Sequence, residues 1–270
     1  MDIQVEEYNN GSFLINEDFS DILQENKIES AEVLWKLKGD SVKKFLKERG
    51  TERVLLSTPD GTKIETYIKR YLPLPGKEYL KGMISFKPVF SSGAIHEWES
   101  IIAFHQAGIP TMLPIAAGRF EDGRSVNITL GITHYRRASD IFEEKPDRET
   151  RVKLIENIAK LAGAMHAAKF AHQDFYLVHL FIKEDLQVLP IDLQRIIMGK
   201  LFKLRWQIKD LGQLLFSAYD FTSKTDALRF WKIYTDIVNP ELFRNKRFIK
   251  SVISKASRIR ARYLRKQKNK

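Results

Sequence analysis

The chain has 270 residues, 43% of them hydrophobic, and a formal net charge of +11. This length and composition suffice for a sizeable core in one large domain or two closely associated lobes, and they exclude intrinsic disorder of the whole chain. Because the sequence contains no cysteine, disulfides, thiolate zinc sites and cysteine nucleophiles are excluded, which fits a reducing compartment.

The N-terminal stretch "MDIQVEEYNN" is acidic and polar, unlike a signal peptide. We find no apolar run near the roughly 18 residues that a membrane span needs. We therefore expect a protein that is cytoplasmic or peripheral to a membrane.

The positive charge is concentrated at the C-terminal end. Residues 246–270 contain eleven Lys and Arg and no Asp or Glu, so 34 basic and 34 acidic residues remain upstream. A neutral body with a basic tail favours an anionic partner, such as phospholipid headgroups, a phosphorylated glycolipid or nucleic acid. The alternative is a solvated helix with a basic end.

The first half of the chain mixes helical and strand patterns. Within the first 50 residues, "SAEVLWKL" and "SVKKFLKE" predict short helices. "ERVLLSTPDGTKIETYIKRY" predicts two strands joined at Asp60-Gly61, a dipeptide that readily adopts positive φ in hairpins. "AIHEWESIIAFHQAG" predicts a helix ended by Gly108, and "TMLPIAAGRF" and "RSVNITLGIT" predict two more strands.

Beyond about residue 134 the patterns are mainly helical. "DRETRVKLIENIAKLAGAMHAAKF" predicts a long amphipathic helix. The loop "HQDFYLVH" and two short strands, "LFIK" and "QVLPIDLQ", follow it, and the remaining segments are helical by pattern. The sequence thus predicts an α+β chain with a strand-rich first part and a helix-rich second part.

The loop after the long helix carries the residues that suggest chemistry. Asp174 is followed by His179, and the short strands would bring Asp192 close to both. Oxygen and nitrogen ligands of this kind could hold Mg²⁺ carrying substrate phosphates. Asp174 could accept a proton from an attacking hydroxyl. Burial of these groups without partners or function would be costly.

These motifs resemble those of protein-kinase-like enzymes. "HQDFYLVH" is similar to the catalytic loop H-R-D-x-x-x-x-N, and "IDLQ", 18 residues after Asp174, is similar to the metal-binding D-F-G segment. "YIKRY" supplies Lys69 on a strand, and "HEWES" supplies Glu97 on the next helix. In that family the lysine holds the nucleotide phosphates and pairs with the glutamate.

A narrower resemblance is to the bacterial lipopolysaccharide inner-core sugar kinases, the Kdo and heptose kinases. That family reads roughly H-R-D-x-Y-x-x-H-F, I-D-L-H-R and R-W-x-x-K-D-L-x-x-L-x-F-S, against "HQDFYLVHLFI", "IDLQRI" and "RWQIKDLGQLLFS" here. The resemblance covers about residues 45–265. It implies a two-lobed protein-kinase-like fold that transfers the γ-phosphoryl group of ATP to a sugar hydroxyl.

The resemblance also implies a division of the chain. We expect an N-terminal extension packed on the N-lobe (1–50), a kinase-like N-lobe (51–133), a kinase-like C-lobe (134–245) and a basic C-terminal helix or tail (246–270).

The resemblance further implies roles for individual residues. Asp174 would position or deprotonate the sugar hydroxyl, and Lys69, paired with Glu97, would clamp the phosphates of ATP. The remaining assignments are Mg²⁺ ligation by Asp192 and His179, support of the loop by His172 and Asp210, and possible contacts of Lys203 and Arg205 with an anionic acceptor.

Several positions depart from the family patterns. Gln173 replaces the arginine of the loop, which argues against control by a phosphorylated activation loop. Only 12 residues separate Asp192 from Arg205, too few for a long activation segment. The nucleotide-covering loop "STPDGTK" has a single glycine, so backbone cradling of phosphate is less extensive than in a G-x-G-x-x-G loop. Gln194 replaces the histidine of I-D-L-H-R.

Other interpretations remain open at this point. Lys69 could be an exposed strand cation, Glu97 a solvated helix carboxylate, and Asp192 a turn cap. The chain could phosphorylate another small alcohol or a protein. It could also be an inactive kinase-like module whose basic tail binds anionic membrane or nucleic acid. The resemblance favours a lipopolysaccharide glycolipid and the cytoplasmic face of the inner membrane as partners, and we do not expect nucleic acid.

Overall fold

The computed structural model describes residues 2–46, 49–73 and 93–268. By its internal contacts the chain divides into two units, Met1–Thr133 and His134–Lys270. Strands dominate the first unit and helices the second, which confirms the predicted α+β class. Within the described ranges, no helix is both long and apolar enough to cross a membrane.

The N-terminal unit is built on a seven-stranded antiparallel sheet with the order β1-β2-β6-β7-β5-β4-β3. Its strands are β1 (Val5–Tyr8), β2 (Phe13–Asn16), β3 (Asp40–Leu46), β4 (Arg49–Ser57), β5 (Lys63–Tyr71), β6 (Pro114–Arg119) and β7 (Ser125–Leu130). Its helices are α1 (Ser20–Glu25), α2 (Ala31–Lys36) and α3 (Ala94–Gln106). A core that includes Phe13, Leu34 and Ile68 packs on this sheet.

The β4–β5 hairpin forms where the sequence predicts it. Gly61 has a φ of +81°, the left-handed conformation that glycine adopts without a steric penalty. The Asp60 carboxylate accepts a hydrogen bond of 3.1 Å from the Thr62 N–H, and the Thr58 N–H donates to the Thr62 carbonyl at 2.9 Å. These bonds close the turn and fix the register of two nine-residue strands.

The predicted helix in "SAEVLWKL" is α2, capped by the Ser30 side chain, which accepts a hydrogen bond from the Val33 N–H. The predicted helix in "SVKKFLKE" is wrong over residues 41–46, which belong to β3, and residues 47 and 48 lie outside the described residues. β3 pairs with β4 at the edge of the sheet. Backbone pairing with a long neighbouring strand outweighed the local helical pattern.

The C-terminal unit holds its strands in two small sheets, with orders β11-β10-β8 and β12-β9. Its strands are β8 (Arg136–Arg137), β9 (Phe170–Ala171), β10 (Leu180–Ile182), β11 (Val188–Pro190) and β12 (Ile197–Met198). Its helices are α4 (Ala138–Glu143), α5 (Arg148–Ala167), α6 (Leu204–Ala218), α7 (Lys224–Val238) and α8 (Lys246–Lys268).

The long helices of this unit pack in two pairs, α5 with α7 and α6 with α8. Asp147 caps α5 by accepting a 3.0 Å hydrogen bond from the Thr150 N–H, a contact typical of helix N-termini. The basic C-terminus is one helix of 23 residues, α8. Phe248, Val252 and Ala256 are buried on its apolar side, and Phe248 stacks on Trp231 with ring centroids 5.8 Å apart.

Candidate active site

In the N-terminal unit, Lys69 and Glu97 form an ion pair. The Nζ atom of Lys69 lies 2.5 Å from Oε1 of Glu97, and their side chains are 13% and 0% exposed. The second carboxylate oxygen accepts hydrogen bonds from the Tyr71 hydroxyl at 2.9 Å and from Nδ2 of Asn127 at 3.0 Å. Three donors thus stabilise a fully buried charge that would otherwise be very costly.

Secondary structure determines this arrangement. Lys69 on β5 is directly opposite Asn127 on β7 in the antiparallel register, and Glu97 lies in the first turn of α3. A carboxylate in the first turn is favoured by the helix dipole. The neighbouring Arg70 pairs with Glu52 at 3.0 Å, so the two cations have different partners. Lys69 is not an exposed strand cation, and Glu97 is not a solvated helix carboxylate.

In the C-terminal unit, one face of α6 holds the backbone of the loop at residues 172–177. Asp210 accepts hydrogen bonds from the N–H groups of His172 at 2.6 Å and Gln173 at 2.8 Å. Gln213 accepts from the Phe175 N–H at 3.2 Å and donates to the Gln173 carbonyl at 2.8 Å. Since Asp210 is fully buried, its charge-assisted bonds fix the start of the loop.

His172 ties the loop to the segment that carries Asp192. Its Nε2 lies 2.9 Å from the Ile191 carbonyl, and its Nδ1 accepts from the Asp174 N–H at 3.4 Å. Burial of the imidazole holds the pKa of His172 below its ordinary value, an effect that the Asp210 carboxylate partly opposes. A neutral imidazole satisfies both contacts, with Nε2 as donor and Nδ1 as acceptor.

His179 and Asp192 are brought together by the short hairpin of β10 and β11. The Ile191 N–H donates to the His179 carbonyl at 3.0 Å. Nδ1 of His179 lies 2.7 Å from the Asp174 carbonyl, so this nitrogen is the donor in the contact. Asp192 has φ 64° and ψ 55°, a left-handed conformation that Asp tolerates better than most residues and that is common at functional sites.

These two residues partly fit a magnesium site. Among the described residues, no group of three or more His, Cys, Asp and Glu side chains is arranged to hold a metal ion. Mg²⁺ commonly takes only one or two protein carboxylates and completes its octahedron with waters and substrate phosphates, which Asp192 could satisfy. His179 fits less well, because Mg²⁺ prefers oxygen ligands. The assignment of both residues as ligands stays a prediction.

Asp174 faces a cation that the sequence reasoning did not single out. Its Oδ2 lies 2.9 Å from Nη1 of Arg195, whose side chain is 62% exposed. Lys209 also lies close enough to interact electrostatically with Asp174, and its Nζ donates to Oε1 of Gln173 at 3.0 Å. Burial lowers the pKa of Lys209, while Asp174 and Asp210 act to raise it. The carboxylate of Asp174 is therefore in a cationic environment.

The two residues expected to contact an acceptor lie at the start of α6. Lys203 is the N-cap residue and is exposed. Arg205 is also exposed, and its guanidinium lies over the Trp206 ring, 4.2 Å from the centroid. Both are accessible to an anionic ligand.

Sequence reasoning missed Gln213 and Arg195. A signal for Gln213 was present, because Asp210, Gln213 and Ser217 recur at helical spacing and lie on one face of α6. Ser217 extends the contact by accepting a 3.1 Å hydrogen bond from the Leu177 N–H. Arg195 gave no such signal, since its partner lies 21 positions away in the chain.

Comparison with known proteins places the chain in a family. The chain is 28% identical over 210 residues to a lipopolysaccharide core heptose(I) kinase WaaP of Escherichia coli, covering 70% of this chain and 78% of that protein. It is 28% identical over 208 residues to the protein of the same name from Pseudomonas aeruginosa, covering 71% and 76%.

Two solved structures are similar to part of this chain. One WbdD crystal structure aligns with a TM-score of 0.45 at 11% identity, and a structure of the bifunctional kinase-methyltransferase WbdD aligns with 0.43 at 12% identity. Each alignment covers 76% of this chain and about half of the WbdD chain, 48% in the first structure and 47% in the second.

The sequence profile of the Lipopolysaccharide kinase (Kdo/WaaP) family matches residues 32–234. The chain therefore belongs to the lipopolysaccharide kinase (Kdo/WaaP) family.

Proposed function

We propose that this protein is an ATP-dependent kinase that transfers the γ-phosphoryl group to a sugar hydroxyl, of Kdo or heptose, in the lipopolysaccharide inner core. The observation that carries the proposal is the family match over residues 32–234. The names of the relatives, which are core heptose(I) kinases, support it. The buried Lys69–Glu97 pair and the loop with Asp174, whose backbone Asp210 holds, also support it, because these residues occur in the motifs that resemble those of the family.

The chain's own residues would act mainly by positioning and charge neutralisation, which dominate phosphoryl transfer. Asp174 takes the proton of the sugar hydroxyl. The hydroxyl oxygen then bonds to the γ-phosphorus while the bond to the β–γ bridging oxygen breaks and ADP leaves. Lys69, held by Glu97, binds the phosphates of ATP, and Arg195 keeps the Asp174 carboxylate oriented.

Asp192, with His179 as a weaker candidate, would hold Mg²⁺. When bound, this ion neutralises the charge of the phosphate oxygens. His172 and Asp210 act on the reaction through the backbone, because Asp210 holds the N–H groups of the two residues that precede Asp174 and His172 contacts the carbonyl of the residue that precedes Asp192. His172 and Asp210 are therefore positioning residues.

We further propose that the protein works at the cytoplasmic face of the inner membrane. Its α8 helix carries a dense set of cations around a buried apolar stripe. Such a helix can dock on its own domain and still face an anionic bilayer, with each basic residue near the surface contributing about 1 kcal/mol to membrane binding.

Lys203 and Arg205 are the proposed contacts with the anionic sugar.

The direct test is transfer of labelled γ-phosphate from Mg-ATP to dephosphorylated inner-core lipopolysaccharide. Wild type should label the glycolipid, and Asp174→Asn should lose activity by orders of magnitude, because the general base is removed. Asp236→Asn, which alters an exposed carboxylate on α7, is the matched control and should remain active. No label with wild type, despite nucleotide binding, would contradict the proposal and favour another acceptor or an inactive module.

A further inference from the structure

A basic groove lies between α6 and α8 in the C-terminal unit. Its volume is about 510 Å³, and its polar lining consists of Arg205 from α6 and Lys250, Ser251, Ser254, Lys255 and Arg258 from α8. No acidic side chain is among the described residues that line it. The groove therefore presents four cations and two hydroxyls from two packed helices to one concave surface.

Two of the cations are held by packing. The stem of Lys255 lies directly against Gly212 of α6, where an added Cβ would come within 2.5 Å of the lysine Cγ. The guanidinium of Arg205 stacks on Trp206. Side chains fixed in this way lose little further conformational freedom when they bind a ligand.

The positive charge in the groove is poorly compensated. Burial, followed by the charges of Arg258 and Arg262, lowers the pKa of Lys255. Among the described residues, Arg260 is the α8 cation that has an acidic partner, Asp220, at 3.8 Å. Arg260 lies outside the groove lining. An anion bound in the groove would relieve the repulsion among the groove cations.

The groove is linked to the candidate active site through α6. Lys255 lies close enough to Lys209 for the two charges to interact. The Nζ atom of Lys209 donates a hydrogen bond to Gln173, the residue next to Asp174. Lys209 is also adjacent to Asp210, which holds the loop backbone. A molecule with its hydroxyl at Asp174 could therefore place a nearby anionic group at Lys255.

We propose that the α6–α8 groove binds a carboxylate or phosphate group of the acceptor glycolipid, beside the sugar that is phosphorylated. This inference rests on the proposed function, and it assigns Lys255 as a specificity-determining residue together with Arg205 and Arg258. Anionic oxygens match the charge-assisted hydrogen bonds that these cations can donate. The remaining cations of α8 are left for the membrane surface.

The test uses Lys255→Met, which removes the charge but keeps an unbranched stem against Gly212 and a good helix former. Lys266→Met, on the same helix outside the groove lining, is the matched control. The first probe is deacylated inner-core oligosaccharide, titrated by calorimetry. The second is vesicles of phosphatidylglycerol and phosphatidylcholine, measured by co-sedimentation. Phosphate transfer to the glycolipid is measured in parallel.

We expect Lys255→Met to raise the Kd for the oligosaccharide and the KM for the acceptor by about tenfold, the scale of one hydrogen bond to a charged group. The KM for ATP and kcat should stay unchanged, and Lys266→Met should have the wild-type Kd for the oligosaccharide. If wild type binds the oligosaccharide through Lys255 without phosphorylating it, the groove assignment stands and the proposed function fails.

Three outcomes would overturn the inference. Equal oligosaccharide affinity of Lys255→Met and wild type, with normal phosphate transfer by wild type, would leave the proposed function intact and remove the groove from it. Loss of vesicle binding alone would assign the groove to lipid headgroups. Absence of oligosaccharide binding by wild type would refute the groove assignment outright.

Discussion

Asp210 should determine both the stability of the helical unit and the geometry of the catalytic loop. The two carboxylate oxygens of Asp210 accept hydrogen bonds from the N–H groups of His172, at 2.6 Å, and Gln173, at 2.8 Å. Asp210→Asn replaces one of these oxygens with an NH2 group, which can only donate. One backbone N–H is then left facing another donor in a fully buried site. A lost bond to a charged group and an unsatisfied donor each cost about 1–3 kcal/mol.

Part of that cost is offset, because the variant no longer buries a charge. We therefore expect the free energy of unfolding of the helical unit to fall by about 2 kcal/mol. We also expect kcat to fall by about 100-fold, the scale of a 1 Å misplacement of a reacting group. Urea unfolding followed by hydrogen exchange of peptides from the loop and from α5 measures the first effect, and phosphate transfer measures the second.

Asp226→Asn is the control for a buried carboxylate away from the loop. Asp226 is 2% exposed, completes the capping box of α7 with the N-cap residue Ser223, and pairs with Arg151. This variant should lose stability yet keep its kcat under conditions where it is folded. Wild-type stability and unchanged loop protection in Asp210→Asn would refute the reasoning that Asp210 fixes the loop.

Three further predictions follow from the described contacts. Lys69→Met leaves the buried Glu97 carboxylate without its cation, so it should destabilise the N-terminal unit by about 3 kcal/mol. It should also abolish the thermal shift that nucleotide causes, and an undiminished shift would contradict the proposal that Lys69 binds the phosphates of ATP. Burial lowers the pKa of His105 below 6.5, with the contact to a backbone carbonyl partly opposing it. The unfolded chain therefore binds the extra proton, and the free energy of unfolding should decrease as the pH is lowered below about 6.5, by at most about 1.4 kcal/mol per pH unit. Urea titrations of wild type and His105→Gln should differ in this slope, and equal slopes would argue against a role of His105 in the pH dependence. Arg195→Ala should lower kcat about tenfold with the KM for ATP unchanged, because Asp174 loses its orienting partner. Arg195→Lys should recover part of the loss in kcat. The free energy of unfolding should change by less than about 1 kcal/mol, since the arginine is exposed.

Much of the secondary structure could be predicted from local sequence. The hairpin at Asp60-Gly61, the helix carrying Glu97 and the long amphipathic helix before Asp174 all formed as expected. In each case the hydrophobic period and the turn residues agree, so local and tertiary preferences point to the same conformation. The candidate residues were found because they occur in motifs with fixed spacing.

The sequence by itself determined which residues could form a site: a lysine on a strand, a glutamate on the next helix, and aspartates in a loop and after a short hairpin. Tertiary structure decided their environments. It buried Glu97 under three donors, paired Asp174 with Arg195, and converted "SVKKFL" from a helical pattern into a strand. Burial and ion pairing join residues far apart in the chain, and edge-strand pairing depends on a neighbouring strand. Local periodicity cannot encode such contacts, so only the folded chain reveals them.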